Sequence, residues 1–471
     1  MNIVVFGLGR FYENRKNQML SYPDIKIVAY TDNEMNYWGK CIDGIKVISP
    51  LEVKNIDYDI ILIMSTYMEE IYWQLIGMGI ARKKIKIWEV FCVEVGPRVK
   101  QIFYGLSSTQ SKKGKILIIT AGLIYDGGSL AAIYAAIALK KRGYDVIVSA
   151  PEGDSSFIDE AVKEGITIYL CPSLPYINDV GWIKQFDIVL VNVFQMLQAV
   201  LATDEICPTL WWIHEPAIVF DIMLSEVWNC VSEKDLVHIN IYAVSRKPRE
   251  NFYRFYPNKI CKILHYGIPD ITLSKNLYHK KIPQMVFAII GSICETKAQD
   301  IFCRAVEELN NQEHAEFWII GRCAEIIYDE KIRKMTNKVK SIKMIGELTR
   351  EKIYEIFPCI DVIVCPSRED SLPIVVTEGM MFGKVCIVSD TTGTADFIQD
   401  GENGFIIPSE DINALKVKLE WILDNQDKLA DIGKKARKTY EKYFTMDVFA
   451  ENLEKAILET KTEWHSKRNQ E

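Results

Sequence analysis

The chain has 471 residues, room for about three domains at roughly 100–200 residues each. Hydrophobic residues make up 49% and charged residues 25%, an ordinary globular balance with apolar material for several cores. The formal net charge of −7 argues against a general nucleic-acid binder, because neutralising phosphates needs a basic face. The 12 cysteines are scattered with no C-x-x-C pair, which reads as reduced thiols packed as small hydrophobes in a cytoplasmic protein. Residues 1–10 do not look like a signal peptide, and no run approaches the ~20 apolar residues of a membrane span. The expectation is a cytoplasmic protein, free or peripheral at the inner face of the membrane.

In chain order, the first apolar run is Ile3-Val-Val-Phe6, followed by the turn Gly7-Leu-Gly9. Lys26–Tyr30, Tyr58–Ile63 and Ile85–Trp88 follow as further strands. Continuous apolar strands alternating with helices point to a parallel sheet covered on both faces. Residues 1–104 are read as this unit and the polar, basic stretch 105–114 as a linker. A second unit, 115–275, starts at Lys115–Thr120; Asp126-Gly-Gly-Ser129 opens a helix that Arg142-Gly143 closes. Its further strands are Asp145–Val148, Thr167–Leu170, Asp187–Val191, Thr209–Ile213 and Ile241–Val244. A third unit, 276–440, carries strands at Met285–Ile290, Glu316–Ile320, Ile342–Ile345, Val362–Cys365, Val385–Val388 and Gly404–Ile407. Residues 441–471 are read as a helical end that packs back on the second unit. Two doubly wound units joined end to end leave a cleft lined by the loops after their strands.

Residues 365–383, CPSREDSLPIVVTEGMMFG, hold the strongest constellation. A strand ends at Cys365 and a helix starts near Leu372–Ile374. Asp370 and Ser371 therefore sit around a helix N-terminus, where unpaired N–H groups attract anions. Asp370 and Glu378 can enter one pocket at different heights and hold hydroxyls through charge-assisted hydrogen bonds. The alternative is an N-cap aspartate and a solvated helix glutamate. In Gly291-Ser-Ile-Cys-Glu-Thr-Lys297, Lys297 is placed to neutralise a diphosphate, or is a solvated lysine at a helix start. His214 in Trp211-Trp-Ile-His-Glu215 ends a strand of the second unit and would face the cleft; Glu215 is the weaker candidate. Gly127 and Gly128 either let a ligand approach the backbone or make an ordinary tight turn.

The stretch from Asp370 to Glu378 resembles the E-x7-E signature of the retaining GT-B glycosyltransferases of family four. Ser389–Asp396, Asn403–Pro408, Ile345-Gly346 and Asp361–Ser367 are also similar to that family. The likeness covers roughly residues 115–460. It implies an α/β GT-B architecture, two Rossmann-like domains facing a cleft, here preceded by a third small Rossmann-like domain. It also implies a nucleotide diphosphate sugar donor, a glycan or lipid-linked acceptor, retention of anomeric configuration, and no metal or cofactor. Glu378 would hold the ribose and Asp370 the sugar hydroxyls. Backbone N–H groups of Ser371, Leu372 and Ile374 would face sugar and phosphates, and Lys297 the diphosphate. His214, with Gly127 and Gly128, would contact donor or acceptor from the opposite lobe.

Several features depart from the family. The first acid is Asp, one methylene shorter than the usual Glu. Pro373 has no N–H to donate. Ser292 stands where an Arg usually follows the glycine, so one cation is missing from its place; Arg322 is the candidate substitute. Arg246-Lys-Pro-Arg249, Arg254, Lys259 and Lys262 interleave with Phe252, Tyr253, Phe255 and Tyr256, either as a contact for an anionic membrane or as solvated charges over local packing. Gly7-Leu-Gly9 and Asp32 resemble a dinucleotide fingerprint, except that Tyr12 occupies the third glycine's place. The first unit also resembles the small domains attached to bacterial sugar-modifying enzymes, so it binds a nucleotide or serves in docking. The ranking is a retaining glycosyltransferase of bacterial-type surface polysaccharide synthesis, then a catalytically weak sugar-nucleotide-binding scaffold subunit, then a nicotinamide-dependent oxidoreductase.

Overall fold

The computed structural model describes residues 1–20, 25–65, 67–88, 90–91, 102–105, 113–171, 174, 181–224, 231–273, 284–310 and 314–468. Most of the polar stretch read as a linker, 106–112, lies outside them. Three sheets organise the chain.

The first sheet runs Cys41–Ile42, Ile45–Ile48, Lys26–Thr31, Asn2–Phe6, Ile60–Ile63, Ile85–Ile87. It is parallel except for the hairpin of its first two strands. Side chains alternate across it, so Ile3 and Val5 join one core cluster and Val4 and Phe6 the other. The hairpin turns at Asp43 and Gly44, both at positive φ (51° and 77°). That geometry suits the right-handed twist of the two strands.

The second sheet has eight strands: Cys261–Ile263, Asn240–Ala243, Thr209–Ile213, Ile188–Asn192, Lys115–Ile119, Asp145–Ala150, Thr167–Leu170 and Ile102–Tyr104. All pairs are parallel except the last. Ile102–Tyr104 falls within 1–104, the span read as the first unit, yet it pairs with Thr167–Leu170, so this strand belongs with the second sheet.

The third sheet is wholly parallel: Ile342–Gly346, Ala315–Ile320, Met285–Ile290, Val362–Cys365, Val385–Ser389, Phe405–Ile407. In the second and third sheets the strand order reverses beside the first central strand, Lys115–Ile119 and Met285–Ile290 respectively. At such a point neighbouring loops diverge and leave a crevice at the carboxyl ends.

One core cluster spans both sheets and the C-terminal helices, from Ile118 and Trp212 to Val388 and Leu453. Helix Leu429–Tyr443 belongs to the third sheet's side, and helix Met446–Arg468 crosses back to pack on helix Gly127–Lys141 and strand Thr209–Ile213. Phe449 stacks on Trp212 with centroids 5.6 Å apart. At the crossing, Gly267 admits the chain: a Cβ there would lie 2.6 Å from Thr445 O. No helix among the described residues is long and apolar enough to cross a membrane.

The edge strand gives a direct test. A chain starting at residue 101 keeps Ile102–Tyr104, whereas one starting at residue 111 leaves Thr167–Leu170 as an open edge. Its three residue pairs are worth roughly 0.2–1 kcal/mol each. The longer chain should melt higher and stay monomeric in size-exclusion chromatography. Identical melting and elution of the two would show that the strand contributes nothing.

Candidate active site

Seven of the residues singled out above share one cavity between the second and third sheets. Gly127, Gly128, His214, Lys297, Asp370, Ser371 and Leu372 line about 230 Å³, together with Glu369 and Tyr266. Gly127 and Gly128 open helix Gly127–Lys141, whose N-cap Asp126 accepts from Ser129 N at 2.7 Å. Asn192 donates from Nδ2 to Gly128 O at 3.0 Å and so fixes the glycine backbone from the adjacent loop.

Lys297 ends the turn Glu295–Lys297, and the next residue, Ala298, takes a left-handed conformation with φ 56°. The Lys297 ammonium is bonded to the Asp370 carboxylate; their side chains are 33% and 12% exposed. Burial works to lower the lysine's pKa, but the adjacent Asp370 outweighs it and the net shift is upward, so Lys297 is a permanent cation. Arg368 holds this turn in place. Its backbone N–H donates to Thr296 O at 2.8 Å and its Nη1 to Glu295 O at 2.5 Å. Its Nη2 bonds Asp300, a buried carboxylate that also accepts from Lys331 and Tyr328. Burial tends to raise the Asp300 pKa, but these partners hold it well below the usual range.

His214 follows strand Thr209–Ile213. Its ring meets Trp212 edge-on at 4.4 Å, and its Nε2 is shut off from solvent with no hydrogen-bond partner. Burial drives the imidazole pKa down to about 3, so the ring is neutral. Glu215 beside it is buried and joins two strand-end loops: Oε1 accepts from Phe194 N and Oε2 from His214 N, both at 2.7 Å. Burial pushes this carboxyl up to about 7. Glu215 therefore acts on its neighbours' backbone, next to Val193, which is held at φ 75°.

The remaining candidates lie outside this cavity. Ser292 accepts at its carbonyl from Gln299 Nε2 at 2.9 Å. Arg322 is exposed on the loop after strand Ala315–Ile320. Ile374 is the first residue of helix Ile374–Met381, behind Pro373, and its Cδ1 lies 4.0 Å from where a Gly127 Cβ would be. Glu378 is inside that helix and buried, and its Oε1 accepts from Arg350 at 2.5 Å and from Tyr354 OH at 2.8 Å. Asp370 and Glu378 thus do not open into the same cavity. The helix turns the second carboxylate toward Arg350, which also donates to Tyr134 OH of the opposite lobe at 2.9 Å.

Sequence reasoning missed the groups that join the lobes. Tyr266 donates to Leu372 O at 2.7 Å, and Ser245 bonds Ser371 O. Glu369 accepts from Ala217 N at 2.8 Å and from Asn251 Nδ2 at 2.9 Å. The only signal for Glu369 was its place beside Asp370. The basic-aromatic stretch is not a free alternating surface: Phe252 and Tyr256 are core residues. Arg246 pairs with Asp396 and Glu250, Arg254 with Asp221, and Lys262 with Glu459 and Glu463. Helical spacing turns those rings inward and leaves the charges to local partners. Beside the first sheet, Asp32 accepts from Leu8 N of the glycine turn at 2.8 Å and from Glu34 N of its own loop at 2.9 Å, so both oxygens are occupied. Tyr12 is fully buried and bonds Tyr30 at 2.9 Å, filling the place where a dinucleotide site needs a third glycine. Among the described residues, no three His, Cys, Asp or Glu side chains group as a metal site.

Solved structures superpose on nearly three quarters of this chain. The Anabaena HepE structure in complex with UDP and glucose superposes with a TM-score of 0.62 at 15% identity, over 73% of this chain and 99% of that one. The lipopolysaccharide outer core galactosyltransferase WaaB superposes with a TM-score of 0.55 at 14% identity, over 73% and 99%. The fold is GT-B. Residues 274–439 match the family described as glycosyl transferases group 1, and residues 1–86 match the C2185-like N-terminal family. The sulfoquinovosyl transferase SQD2 of Arabidopsis thaliana is 29% identical over 119 residues, 25% of this chain and 23% of that protein. The UDP-Gal:alpha-D-GlcNAc-diphosphoundecaprenol alpha-1,3-galactosyltransferase of Escherichia coli is 27% identical over 167 residues, 35% of this chain and 42% of that protein. The chain thus spans less than half the length of these curated relatives.

The buried imidazole sets a pH dependence. A histidine whose folded pKa is depressed supports folding fully above its unfolded value near 6.5 and loses that support as pH falls toward about 3. Glu215, raised to about 7, acts oppositely, losing stability as pH rises from its ordinary range through 7. Comparing His214→Asn with the parent isolates the histidine. The parent should lose roughly 1–2 kcal/mol more than the variant between about pH 7 and pH 5, partial solvent screening included. Parallel urea-stability profiles for the two would show that His214 is not held neutral.

Proposed function

We propose that this chain is a retaining glycosyltransferase moving a sugar from a nucleotide diphosphate sugar onto a glycan or lipid-linked acceptor, in the assembly of a bacterial-type surface polysaccharide or glycoconjugate. The observation that carries the reading is the cavity itself. A permanent cation, Lys297, and a carboxylate, Asp370, face a neutral histidine on the opposite lobe across about 230 Å³. The match over residues 274–439 and the GT-B fold support it. The HepE structures hold UDP, UDP-glucose or UDP with glucose, which makes a uridine diphosphate sugar the first donor to try.

In this reading, Asp370 positions the sugar hydroxyls, and a bound donor draws part of the Lys297 charge onto its diphosphate. As the C1–O bond to phosphate breaks, negative charge grows on the leaving oxygen, and a fixed cation there stabilises the transition state more than the ground state. Retention follows if the acceptor hydroxyl attacks C1 on the departing face and passes its proton to the leaving phosphate oxygen. Gly127 and Gly128 leave room for a ligand against the backbone. The neutral His214 ring walls the cavity from the opposite lobe, so donor or acceptor meets an uncharged face there. Glu378 holds the ribose, its Oε1 steadied by Arg350 and Tyr354. No step needs a metal. Acceptor groups enter over the second sheet, and donor groups rest on the third.

One observation favours a second reading, a sugar-nucleotide-binding scaffold with weak catalysis. Lys297 is already paired with Asp370, and Ser292 brings no second cation. Donor turnover by the purified protein separates the two readings.

Turnover of a uridine diphosphate sugar should fall about a hundredfold or more in Lys297→Ala while the fold stays intact. Near-normal turnover in that variant would mean that another group neutralises the diphosphate, and absent turnover in the parent would favour the scaffold.

The two acids should separate in a binding experiment. Glu378→Gln keeps an acceptor for Arg350 and Tyr354, so it perturbs the ribose contact without stranding a buried arginine. A lost charge-assisted hydrogen bond costs roughly 1.5–3 kcal/mol, about ten- to a hundredfold in affinity. Calorimetry should show that Glu378→Gln weakens free uridine diphosphate and donor alike. Asp370→Ala should leave the free nucleotide nearly unchanged and sharply reduce transfer. Equal loss of nucleotide binding in both variants would reverse the assignment.

A further inference from the structure

A second cavity lies at the opposite end of the second sheet from the candidate active site. His214 follows the carboxyl end of strand Thr209–Ile213, and the neighbouring parallel strand begins at Asn240. Asn240, Lys234, Lys259, Lys262 and Lys467 line about 440 Å³ around that amino end, within the range of small-molecule sites. Four lysines on one pocket need counter-charge, and the protein supplies it unevenly. Lys262 is answered by Glu459 and Glu463 at 3.1 Å each. Glu233 turns instead to the backbone and side chain of Asn258, at 2.8 and 3.2 Å.

Lys259 and Lys467 both point at one carbonyl. Their Nζ atoms lie 3.0 and 3.4 Å from Val237 O, so two ammonium groups converge on a single neutral acceptor. Glu463 stands 3.8 Å from Lys467, and it is already shared with Lys262. Burial, then the charge of Lys467, lowers the Lys259 pKa to about 8. Asp204 is the nearby buried acid, and burial lifts it to about 6. An independent sign points the same way. Asn240 is 7% exposed, and its Nδ2 is buried with no hydrogen-bond partner. A buried amide N–H without an acceptor carries a desolvation cost that a ligand oxygen would remove.

We propose that this pocket is a binding site for a small phosphate-bearing ligand. Lys259 and Lys467 neutralise the phosphate, Asn240 donates to one of its oxygens, and Lys234 at the mouth draws the anion in. Because Lys467 and Glu463 belong to helix Met446–Arg468, the ligand would tie the end of the helix that crosses between the lobes to the base of the second sheet. The inference does not rest on the transferase reading.

Two probes test it and separate a free phosphate from a lipid headgroup: inorganic pyrophosphate by calorimetry, and flotation with phosphatidylglycerol vesicles. The full chain should bind pyrophosphate, or float with the vesicles if a headgroup is the source, and binding should persist in Lys297→Ala, which removes the cation of the candidate active site and leaves this pocket intact. Lys259→Ala should weaken whichever binding is seen about tenfold or more. Lys467→Glu, a half-buried position in the last turn of the helix, should do the same with an unchanged melting temperature. Binding of either probe that is indifferent to both pocket variants, pyrophosphate binding lost only in Lys297→Ala, or no binding of either probe would overturn the proposal.

Discussion

The ion pair of Lys297 with Asp370 is the constraint around which the third sheet's loops are built. The two residues come from loops that leave neighbouring strands at the point where strand order reverses, 73 positions apart in sequence. A cation and an anion brought out of water must be paired or neutralised. Asp300 meets the same requirement one layer further in, through Arg368, Lys331 and Tyr328. Arg368 is the joint between the layers: one side chain both neutralises Asp300 and grips the carbonyl of Glu295 in the Lys297 turn. The left-handed Ala298 that follows is affordable because this grip over-determines the turn.

The second lobe meets this frame through backbone more than through charge. Leu372 O and Ser371 O accept from Tyr266 and Ser245, and Gly393 makes the approach possible. A Cβ at Gly393 would lie 1.8 Å from Ser371 O and 2.4 Å from Ser245 Oγ. The loop that carries Asp370 is thereby positioned by the lobe opposite it. Glu369, next in sequence, reaches across to Ala217 N and Asn251, so two adjacent acids divide the work, one bonded within its own lobe and one across the cleft.

Much of this architecture was legible in the sequence because buried parallel strands read as unbroken apolar runs between turn residues. Lys115–Ile119, Met285–Ile290 and Val362–Cys365 stood out for that reason. Four short strands did not, Cys261–Ile263 at one edge of the second sheet among them. Cys41–Ile42 and Ile45–Ile48 are too brief to show a period, although Asp43-Gly44 between them is a hairpin signal. Ile102–Tyr104 is a three-residue edge strand beside a polar stretch. The cavity residues were found where a motif fixed a side chain to a strand end, as for His214, Lys297 and Asp370. Tyr266, Glu369, Arg368 and Arg350 were not, because their partners lie 28 to 216 positions away and no local pattern encodes such a pairing. Where helical spacing was the better guide, it overruled composition: Phe252 and Tyr256 went inside although basic residues surround them in sequence.

Glu378 shows how far a motif can mislead about geometry while remaining chemically apt. Its spacing from Asp370 places both acids near one helix N-terminus, but helix Ile374–Met381 starts only after Pro373 and carries Glu378 into the protein. There a lone carboxylate would be costly, and Arg350 with Tyr354 offsets the cost. Arg350 is itself enclosed between the rings of Tyr354 and Tyr134, at 5.0 and 5.9 Å. Tyr134 belongs to helix Gly127–Lys141, whose first turn lines the cavity. Glu378 is therefore joined through Arg350 to the helix that presents Gly127 and Gly128. The second acid of the pair is thus wired to the opposite lobe, while the first answers to a lysine of its own.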